Sequence, residues 1–276
     1  MTKPPPAFKM GITDLHCKFE GETKMEVAIP IDFEQMKEVK TELTRFMMSY
    51  KFALHEVMTK IDILKEEFQY VHDYNPIEHV KSRLKSPESI LNKAYRKGCA
   101  LSLDSIRENI RDIAGIRITC SFISDIYEIS KMIQQQKDVK LIECKDYIQN
   151  PKPNGYQSLH MIIKIPVFMS DRSEEVYVEI QIRTIAMDFW ASLEHKIYYK
   201  YDEDVPQHLK EELKEAALQA AQLDVKMENI QKEMKEVKKR NSENSVHQLI
   251  VDTEKLRIPE DFLKAALNET DGKGSI

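Results

Sequence analysis

Glycine is scarce in this chain, and its scarcity excludes the two most common nucleotide-binding loops. Only 7 of the 276 residues are glycine. Neither GxGxxG nor GxxxxGK[ST] occurs, the patterns in which closely spaced glycines let backbone N–H groups surround a phosphate. Any phosphate site must therefore be built from clustered side chains.

Long apolar runs and paired cysteines are also missing. No apolar run approaches the length of a membrane span, and the first residues, MTKPPPAFKMGITD, lack the apolar stretch of a signal peptide. The cysteines show no CxxC spacing, which favours reduced thiols over a zinc site or a disulfide framework. They are Cys17, Cys99, Cys120 and Cys144. We therefore predict a cytoplasmic protein without a membrane segment.

No large excess of one charge sign is present either. The net charge is −5, the pI is about 6.0, and 42% of the residues are hydrophobic and 32% charged. This composition is typical of a globular protein that can bury a core, and it excludes polyanion binding by bulk attraction. One local cluster is basic, with Glu88 as its single acid. Its members are Lys81, Arg83, Lys85, Lys93, Arg96 and Lys97.

Hydrophobic periodicity predicts a mixed α/β (α+β) fold with helical ends. Apolar and polar residues alternate as in strands at 116–119, 159–165 and 176–183, and an antiparallel hairpin is expected through the turn MSDRSEE. Helical patterns occupy 126–136 and 186–199. The predicted segments are a flexible N-terminal extension at 1–32, N-terminal helices at 33–75, a core at 76–204, a long helix at 205–240 and a polar tail at 241–276.

Capping signals delimit the helices between these strands. Ser86 is expected to cap a helix whose first turn contains proline and glutamate, and Gly98 is expected to end it. Asp104 is expected to cap a further helix that reaches about Asn109.

The long helix after Pro206 carries an apolar stripe with alternating steps of four and three residues, the pattern of a heptad seam. The stripe consists of Leu209, Leu213, Ala216, Ala220, Leu223, Met227, Ile230, Met234 and Val237. Two interpretations stay open. The helix packs on its own domain, or it forms a helix–helix interface between subunits.

The basic cluster is a candidate polyphosphate site. Ser89, Lys93 and Arg96 stand at i, i+4 and i+7 and so share one helix face. Arg83 and Lys85 come just before the helix N-terminus, whose unpaired N–H groups favour anions. The alternative for this segment is a solvated basic face.

Two acids in separate segments are candidates for metal binding and base catalysis. Asp112 precedes Gly115 in DIAGIR, and Glu179 lies on the polar side of the strand VEIQIRT. Two converging carboxylates can hold Mg²⁺, which takes few protein oxygens together with substrate phosphates. Glu179 could also accept a proton from an attacking hydroxyl. Asp112 alone would be an ordinary cap or turn residue.

A loop punctuated by proline and glycine, KDYIQNPKPNGYQSLH, runs into the second predicted strand. Tyr156 follows Asn154-Gly155, a turn pair that projects the next side chain, and its ring could stack on a purine. The alternative is a structural tyrosine that covers a core edge. Lys152 lies between two prolines, which restrict its backbone and preset the direction of its charge.

Four segments of the chain, HVKSRLKSPESILNKAYRKG, DIAGIRI, KDYIQNPKPNGYQSLH and VEIQIRTIAMDFWASLEHKIYYK, resemble RelA/SpoT-type alarmone synthetases. The closer resemblance is to the single-domain small alarmone synthetases of the RelP kind, from about Phe33 to Lys235. It implies a nucleotidyltransferase-like core in which a mixed β-sheet is flanked by helices. It also implies a Mg²⁺-dependent GTP/GDP pyrophosphokinase that moves the β,γ-pyrophosphate of ATP to the ribose 3′-hydroxyl of GDP or GTP.

The resemblance also implies roles for single residues. Asp112 would bind Mg²⁺, and Glu179 would join it and act as the base. The ATP-binding set would be Arg83 and Arg117 around the adenine, with Lys85, Ser89, Lys93 and Arg96 on the phosphates. The guanine nucleotide-binding set would be Tyr156, stacked on the base, with Lys152, His160 and Gln181 beside it.

The resemblance covers synthetase motifs alone. The hydrolase domain and the regulatory C-terminal domains of the long enzymes are missing, and His72-Asp73 is an isolated pair, so we predict no ppGpp hydrolysis. A homotetramer through the terminal helices is implied. A competing hypothesis is a binding module in which the basic helix and Tyr156 hold single-stranded RNA or sense a guanine nucleotide. Convergence of Asp112 and Glu179 would favour the enzyme.

Overall fold

The computed structural model describes residues 33–72, 74–199 and 205–242. Asp73, the predicted extension at 1–32 and the tail from 243 onward lie outside this description. The chain divides into two units, 1–45 and 46–276. In the first unit, residues 33–45 form exposed turns of helix α1 (Phe33–Val71). No helix in the described part of the chain has both the length and the apolar character needed to cross a membrane.

The second unit contains a five-stranded mixed sheet, which confirms the predicted fold class. The strand order is β1-β2-β5-β4-β3, with β2 and β5 parallel and the other neighbours antiparallel. After α1 the elements are β1 (Ile77–Leu84), α2 (Pro87–Lys97), α3 (Leu103–Asn109), β2 (Ala114–Cys120), α4 (Ile123–Gln135), β3 (Lys140–Asp146), β4 (Leu159–Phe168), β5 (Ser173–Thr184), α5 (Ile185–Tyr199) and α6 (Gln207–Ser242).

The two faces of the sheet differ in polarity, as β5 illustrates. Alternate side chains of this strand are buried in the hydrophobic core, to which α1 and α4 also contribute. These side chains are Val176, Val178, Ile180 and Ile182. Since successive strand residues point to opposite faces, Glu179 and Gln181 lie on the other, polar face. That face holds five of the residues singled out by the sequence, namely Arg83, Arg117, His160, Glu179 and Gln181.

Strand register brings these residues into rows across the polar face. In the row of Glu179, the neighbour on β2 is Gly115. In the row of Gln181, the neighbours are Arg117 on β2 and His160 on β4. Residues distant in the sequence therefore become adjacent through pairing alone.

Most of the local predictions for the helices are confirmed, with one correction. Ser86 caps α2 through its side chain, and Gly98 ends the helix in the left-handed region at φ 65°. The prediction that Asp104 caps α3 is wrong. Ser102 is the cap, because its hydroxyl accepts the backbone N–H of Ser105, and Asp104 lies in the first turn.

Helix α6 has one face that packs against the rest of the unit and another face that is exposed. Its inner face buries Ala217, Asp224 and Glu228 against the rest of the unit. Asp224 accepts a hydrogen bond from Thr184 at the end of β5. The outer stripe of α6, namely Leu223, Met227, Ile230, Met234 and Val237, is exposed in the described part of the chain. Packing on its own domain therefore does not account for this half of the heptad stripe.

Candidate active site

The β1 side of the polar face contains a cavity of about 250 Å³ bordered by two arginines. Arg83 and Arg117 both line it, with Glu179 and Gln181 at its inner edge. Gly115 forms part of the wall, and a Cβ atom there would lie 3.3 Å from Nε of Arg83. Absence of a side chain at this position therefore leaves room beside the guanidinium. Two arginines that line one cavity can stack on a base.

Next to this cavity, two lysines converge on Asp112. Nζ of Lys85 and Nζ of Lys93 each lie 2.6 Å from Oδ2 of Asp112. Burial alone would raise the pKa of Asp112, but the hydrogen bonds from the two lysines outweigh it and lower this pKa below its usual value. Burial lowers the pKa of Lys85 in spite of its bond to Asp112. The three groups form a compact, partly desolvated charge cluster.

Two residues of the predicted phosphate set stand apart from this cluster. Ser89 and Arg96 are exposed on α2 and line neither the cavity beside Arg83 nor a second cavity beside Asp112. The hydroxyl of Ser89 accepts a hydrogen bond from Ser86 at 2.9 Å. Lys85 and Lys93 are thus paired with Asp112, whereas Ser89 and Arg96 lie on the exposed side of α2.

The two acids singled out by the sequence open into the same cavity. A space of about 380 Å³ is lined by Asp112 and Glu179, together with Lys93, Lys97, Arg111 and Lys145 among others. Oδ1 of Asp112 is buried and lacks a hydrogen-bond partner among the described residues. This orphaned oxygen is a free ligand position beside the cavity.

The carboxylates of Asp112 and Glu179 fit Mg²⁺ but would not hold the ion by themselves. Within the described ranges, no group of three or more His, Cys, Asp or Glu side chains could hold a metal ion. Mg²⁺ is usually bound by one or two carboxylates, completed by substrate phosphates and water. Asp112 and Glu179 meet that requirement only when a phosphate chain enters the cavity.

The loop between β3 and β4 presents an aromatic and cationic surface on the other side of Glu179. Nζ of Lys152 lies 4.7 Å from the ring centroid of Tyr156 and 4.8 Å from that of Tyr147. Tyr156 also packs against a small apolar cluster formed by Trp190, Ala191 and Ala217. The tyrosine therefore both covers a core edge and borders the open face, so the two interpretations of this residue are compatible.

Gly155 lets the loop approach α6 closely. Its φ is +88°, a conformation that favours glycine. A Cβ atom at this position would lie 2.5 Å from Cβ of Ala217. Next to it, Asn154 donates to Oε1 of Glu194 on α5 at 3.1 Å. The loop is thus fixed by both helices that follow β5.

His160 is neutral at physiological pH. Burial lowers the pKa of His160 to about 3, and the nearby cations, Arg183 first among them, act in the same direction. Its Nε2 lies 2.7 Å from the hydroxyl of Tyr156, and its Nδ1 lies 3.8 Å from Oε1 of Glu179. His160 therefore orients Tyr156 rather than supplying a positive charge to Glu179.

Two further polar residues belong to this site and were not predicted from the sequence. Arg183 is buried between Tyr156 and Gln181, and Asp188 in the first turn of α5 lies next to it. The signal for Arg183 was available, because it follows Glu179 and Gln181 at the same two-residue spacing on β5. Asp188 carries no such signal, since an acid in the first turn of a helix is ordinary.

Comparison with known proteins identifies the class of this fold and site. The family model described as "Region found in RelA / SpoT proteins" matches residues 82–204. The chain is 55% identical over 201 residues to GTP pyrophosphokinase YwaC of Bacillus subtilis (strain 168). The aligned region covers 73% of this chain and 96% of that protein. The chain belongs to the RelA/SpoT family.

Within this family the similarity is to small alarmone synthetases. The structure of small alarmone synthetase 2 from Bacillus subtilis matches with 56% identity and a TM-score of 0.64, over 70% of this chain and 99% of that one. Small alarmone synthetase 1 from the same organism, bound to its product pppGpp, matches with 38% identity and a TM-score of 0.65, over 70% and 97%. The mixed sheet of this chain is that of these enzymes.

Proposed function

We propose that the protein is a GTP/GDP pyrophosphokinase that transfers the β,γ-pyrophosphate of ATP to the 3′-hydroxyl of GDP or GTP. The products would be AMP and ppGpp or pppGpp, the alarmones of the stringent response. The observation that carries the proposal is that Asp112 and Glu179 line one cavity, with Lys93 beside them. An RNA groove would gain nothing from two acids there, whereas metal-assisted phosphoryl transfer needs them.

On the donor side, Arg83 and Arg117 hold the adenine of ATP between their guanidinium groups. The phosphates meet the four remaining members of the set, which are Lys85, Ser89, Lys93 and Arg96. Lys85 and Lys93, which pair with Asp112 in the structure, can turn to the phosphates when ATP enters the cavity. Their positive charges then stabilise the negative charge on the transferred group.

On the acceptor side, the guanine stacks on Tyr156, with Lys152, His160 and Gln181 in the same pocket. Glu179 takes the proton of the ribose 3′-hydroxyl as the oxygen of that hydroxyl attacks the β-phosphorus of ATP. The bond from that phosphorus to the bridging oxygen of the α-phosphate breaks, and AMP leaves. Asp112 and Glu179 would hold Mg²⁺, which supplies charge neutralisation for the phosphates.

The activity is tested by incubating the full chain with ATP, Mg²⁺ and either GDP or GTP, and separating the nucleotides by anion-exchange chromatography. We expect AMP and ppGpp, or AMP and pppGpp, in equal amounts. Samples without the guanine nucleotide control for ATP hydrolysis. If neither acceptor gives a 3′-pyrophosphorylated product, the proposal is wrong. Added ppGpp is expected to persist, because His72-Asp73 is an isolated pair in the sequence with no accompanying metal-ligand pattern. We propose the cytoplasm as the site of the reaction.

We also propose that the terminal helices join subunits into a homotetramer. The side chains of the outer stripe of α6 range from 45% exposed at Ile230 to 54% exposed at Leu223. The first turns of α1 carry a second exposed apolar set, formed by Phe33, Met36, Val39 and Leu43. Apolar stripes of this length and spacing normally have a partner helix.

Charges introduced into the outer stripe of α6 are expected to dissociate the assembly. Met227→Lys combined with Met234→Lys would place two ammonium groups in the apolar seam, and a smaller species should appear in sedimentation velocity. Gln222→Lys combined with Asn229→Lys is the matched control, since it adds the same charge to exposed positions outside the stripe. Equal sedimentation of both variants and the wild type would contradict this interface.

A further inference from the structure

Arg183 is a buried arginine on the polar face of the sheet, and only 5% of its side chain is exposed. Its Nη1 donates to Oδ1 of Asp188 at 3.1 Å. Its Nη2 donates to the hydroxyl of Tyr156 at 2.6 Å and to Oε1 of Gln181 at 3.0 Å. One guanidinium thus contacts Tyr156, which is proposed to stack on the guanine, and Gln181, which donates to the proposed base Glu179.

The choice of arginine follows from this arrangement. A buried cation is stable only when it is paired and hydrogen-bonded, and Asp188 supplies the opposite charge. The planar guanidinium donates in fixed directions, so its partners are held at fixed angles. Lysine would keep the charge but present a single nitrogen, which cannot reach three acceptors in the same geometry.

The hydrogen bonds of Arg183 fix the orientation of two neighbouring groups. Because Oε1 of Gln181 accepts from Arg183, the amide nitrogen faces Glu179 and donates to its Oε2 at 3.0 Å. Because the oxygen of Tyr156 accepts from Arg183, its proton is directed to Nε2 of His160. Without the guanidinium, the amide of Gln181 could flip, and the phenol would lose its charged donor.

Asp188 extends the same arrangement to the donor pocket. Its Oδ1 also lies 3.2 Å from Nη1 of Arg117, which lines the cavity beside Arg83. The carboxylate of Asp188 therefore holds Arg117 in the proposed ATP pocket and, through Arg183, Tyr156 in the proposed guanine nucleotide pocket.

We infer that Arg183 is a positioning residue that holds Tyr156 for the guanine nucleotide and Gln181 for Glu179, and that Asp188 holds Arg183 in turn. The inference rests on the proposed function. Arg183 itself takes no proton and transfers no group. Its contribution is to fix the acceptor side before the nucleotide arrives, which reduces the ordering cost of binding.

A double-mutant cycle of Arg183→Lys and Tyr156→Phe tests the inference on the full chain. Tyr156→Phe keeps the ring and removes the hydroxyl to which Arg183 donates. For each variant we would measure KM for GDP, KM for ATP and kcat, and the Kd of GDP by calorimetry. Arg183→Lys is expected to raise KM and Kd for GDP roughly tenfold to a hundredfold, as loss of a charged hydrogen bond does, with KM for ATP changed less than about twofold. The double variant should be little worse than either single variant.

Arg107→Lys is the matched control. Arg107 is also a partly buried, ion-paired arginine, 3.4 Å from Glu174, and it lines neither cavity. It should leave both KM values unchanged. If Arg183→Lys prevents folding, Asp188→Asn replaces it, and this variant should raise KM for GDP and, through Arg117, KM for ATP.

Three results would overturn the inference. The first is an unchanged KM for GDP in folded Arg183→Lys. The second is full multiplication of the two single effects in the double variant. The third is a loss of activity that only follows the folded fraction in thermal denaturation. The Kd cycle keeps the test separate from the proposed function, because a wild type that binds GDP without forming product would refute the activity and still measure the coupling.

Discussion

Replacing Glu179 by glutamine is expected to reduce ppGpp formation about a thousandfold, or ~4 kcal/mol in transition-state stabilisation. The amide has nearly the same shape as the carboxylate but cannot take the proton of the 3′-hydroxyl. It is also a weaker ligand for Mg²⁺. Both consequences affect the transition state more than the bound nucleotides, so kcat should decrease far more than binding.

Nucleotide binding should survive this substitution because the surroundings of Glu179 can accommodate an amide. Its oxygen can still accept from Gln181, which donates at 3.0 Å in the wild type. The remaining polar neighbours are more distant, with Nη2 of Arg83 at 3.9 Å and Nδ1 of the neutral His160 at 3.8 Å. Calorimetry with GDP is therefore expected to give a Kd within a few fold of wild type.

Glu175→Gln is the control for Glu179→Gln. Glu175 lies on the same strand and pairs with Lys164 at 3.4 Å, but it is exposed and lines neither cavity. Its variant should form product at the wild-type rate. A Glu179→Gln enzyme that retains more than about a tenth of the activity would exclude Glu179 as the base.

Local signals in the sequence were sufficient where a single segment determines its own structure. The ends of α2 follow from Ser86 and Gly98, and the alternation in β5 follows from burial of one face. Both depend on residues within one or two turns or along one strand. The position of Glu179 and Gln181 on the polar side of β5 could likewise be assigned from periodicity alone.

The edge strands could not be predicted from periodicity. β1 and β3 lie at the two ends of the sheet, and most of their side chains are exposed or half-buried. Without a fully covered apolar face they lose the alternation that marks a strand. For this reason Arg83 was expected in a segment leading into the helix, whereas it belongs to β1 and faces Gly115.

Contacts between distant segments were also beyond the sequence. That Lys85 and Lys93 both reach one oxygen of Asp112 depends on how the segment before β2 lies against α2 and the residues that precede it. The same holds for the bond from Arg183 to Tyr156, which joins residues on different elements. Such partners depend on tertiary packing, and no spacing rule in one segment specifies them.

Asp112→Asn is expected to reduce the rate about a hundredfold at saturating Mg²⁺ and to raise the Mg²⁺ concentration needed for half-maximal activity. The amide removes the negative charge of Asp112, the proposed metal ligand, whose Oδ1 lacks a hydrogen-bond partner among the described residues. It also leaves the ammonium groups of Lys85 and Lys93 without their shared anion, so they repel each other when no nucleotide is bound. The variant should accordingly be less stable than wild type at low ionic strength.

The pH dependence of unfolding separates the structural part of this effect from the catalytic part. Because the pKa of Asp112 is lowered on folding, its carboxylate stabilises the folded protein at neutral pH. This contribution is lost as the pH falls from the ordinary pKa of 3.8 through the lower pKa of the folded state. Burial lowers the pKa of Lys85, so the net stabilisation is smaller than the shift of the acid alone indicates. The difference in unfolding free energy between wild type and Asp112→Asn should therefore shrink in acid.

The Mg²⁺ titration then decides the role of Asp112 in catalysis. Asp104→Asn is the control, because Asp104 is an exposed acid on α3 whose side chain is 95% accessible. It should need the same Mg²⁺ concentration as wild type. If Asp112→Asn were less stable but had an unchanged Mg²⁺ requirement, Asp112 would serve only to neutralise the two lysines. A raised requirement in a variant that remains folded is the result expected of a lost Mg²⁺ ligand near the phosphates.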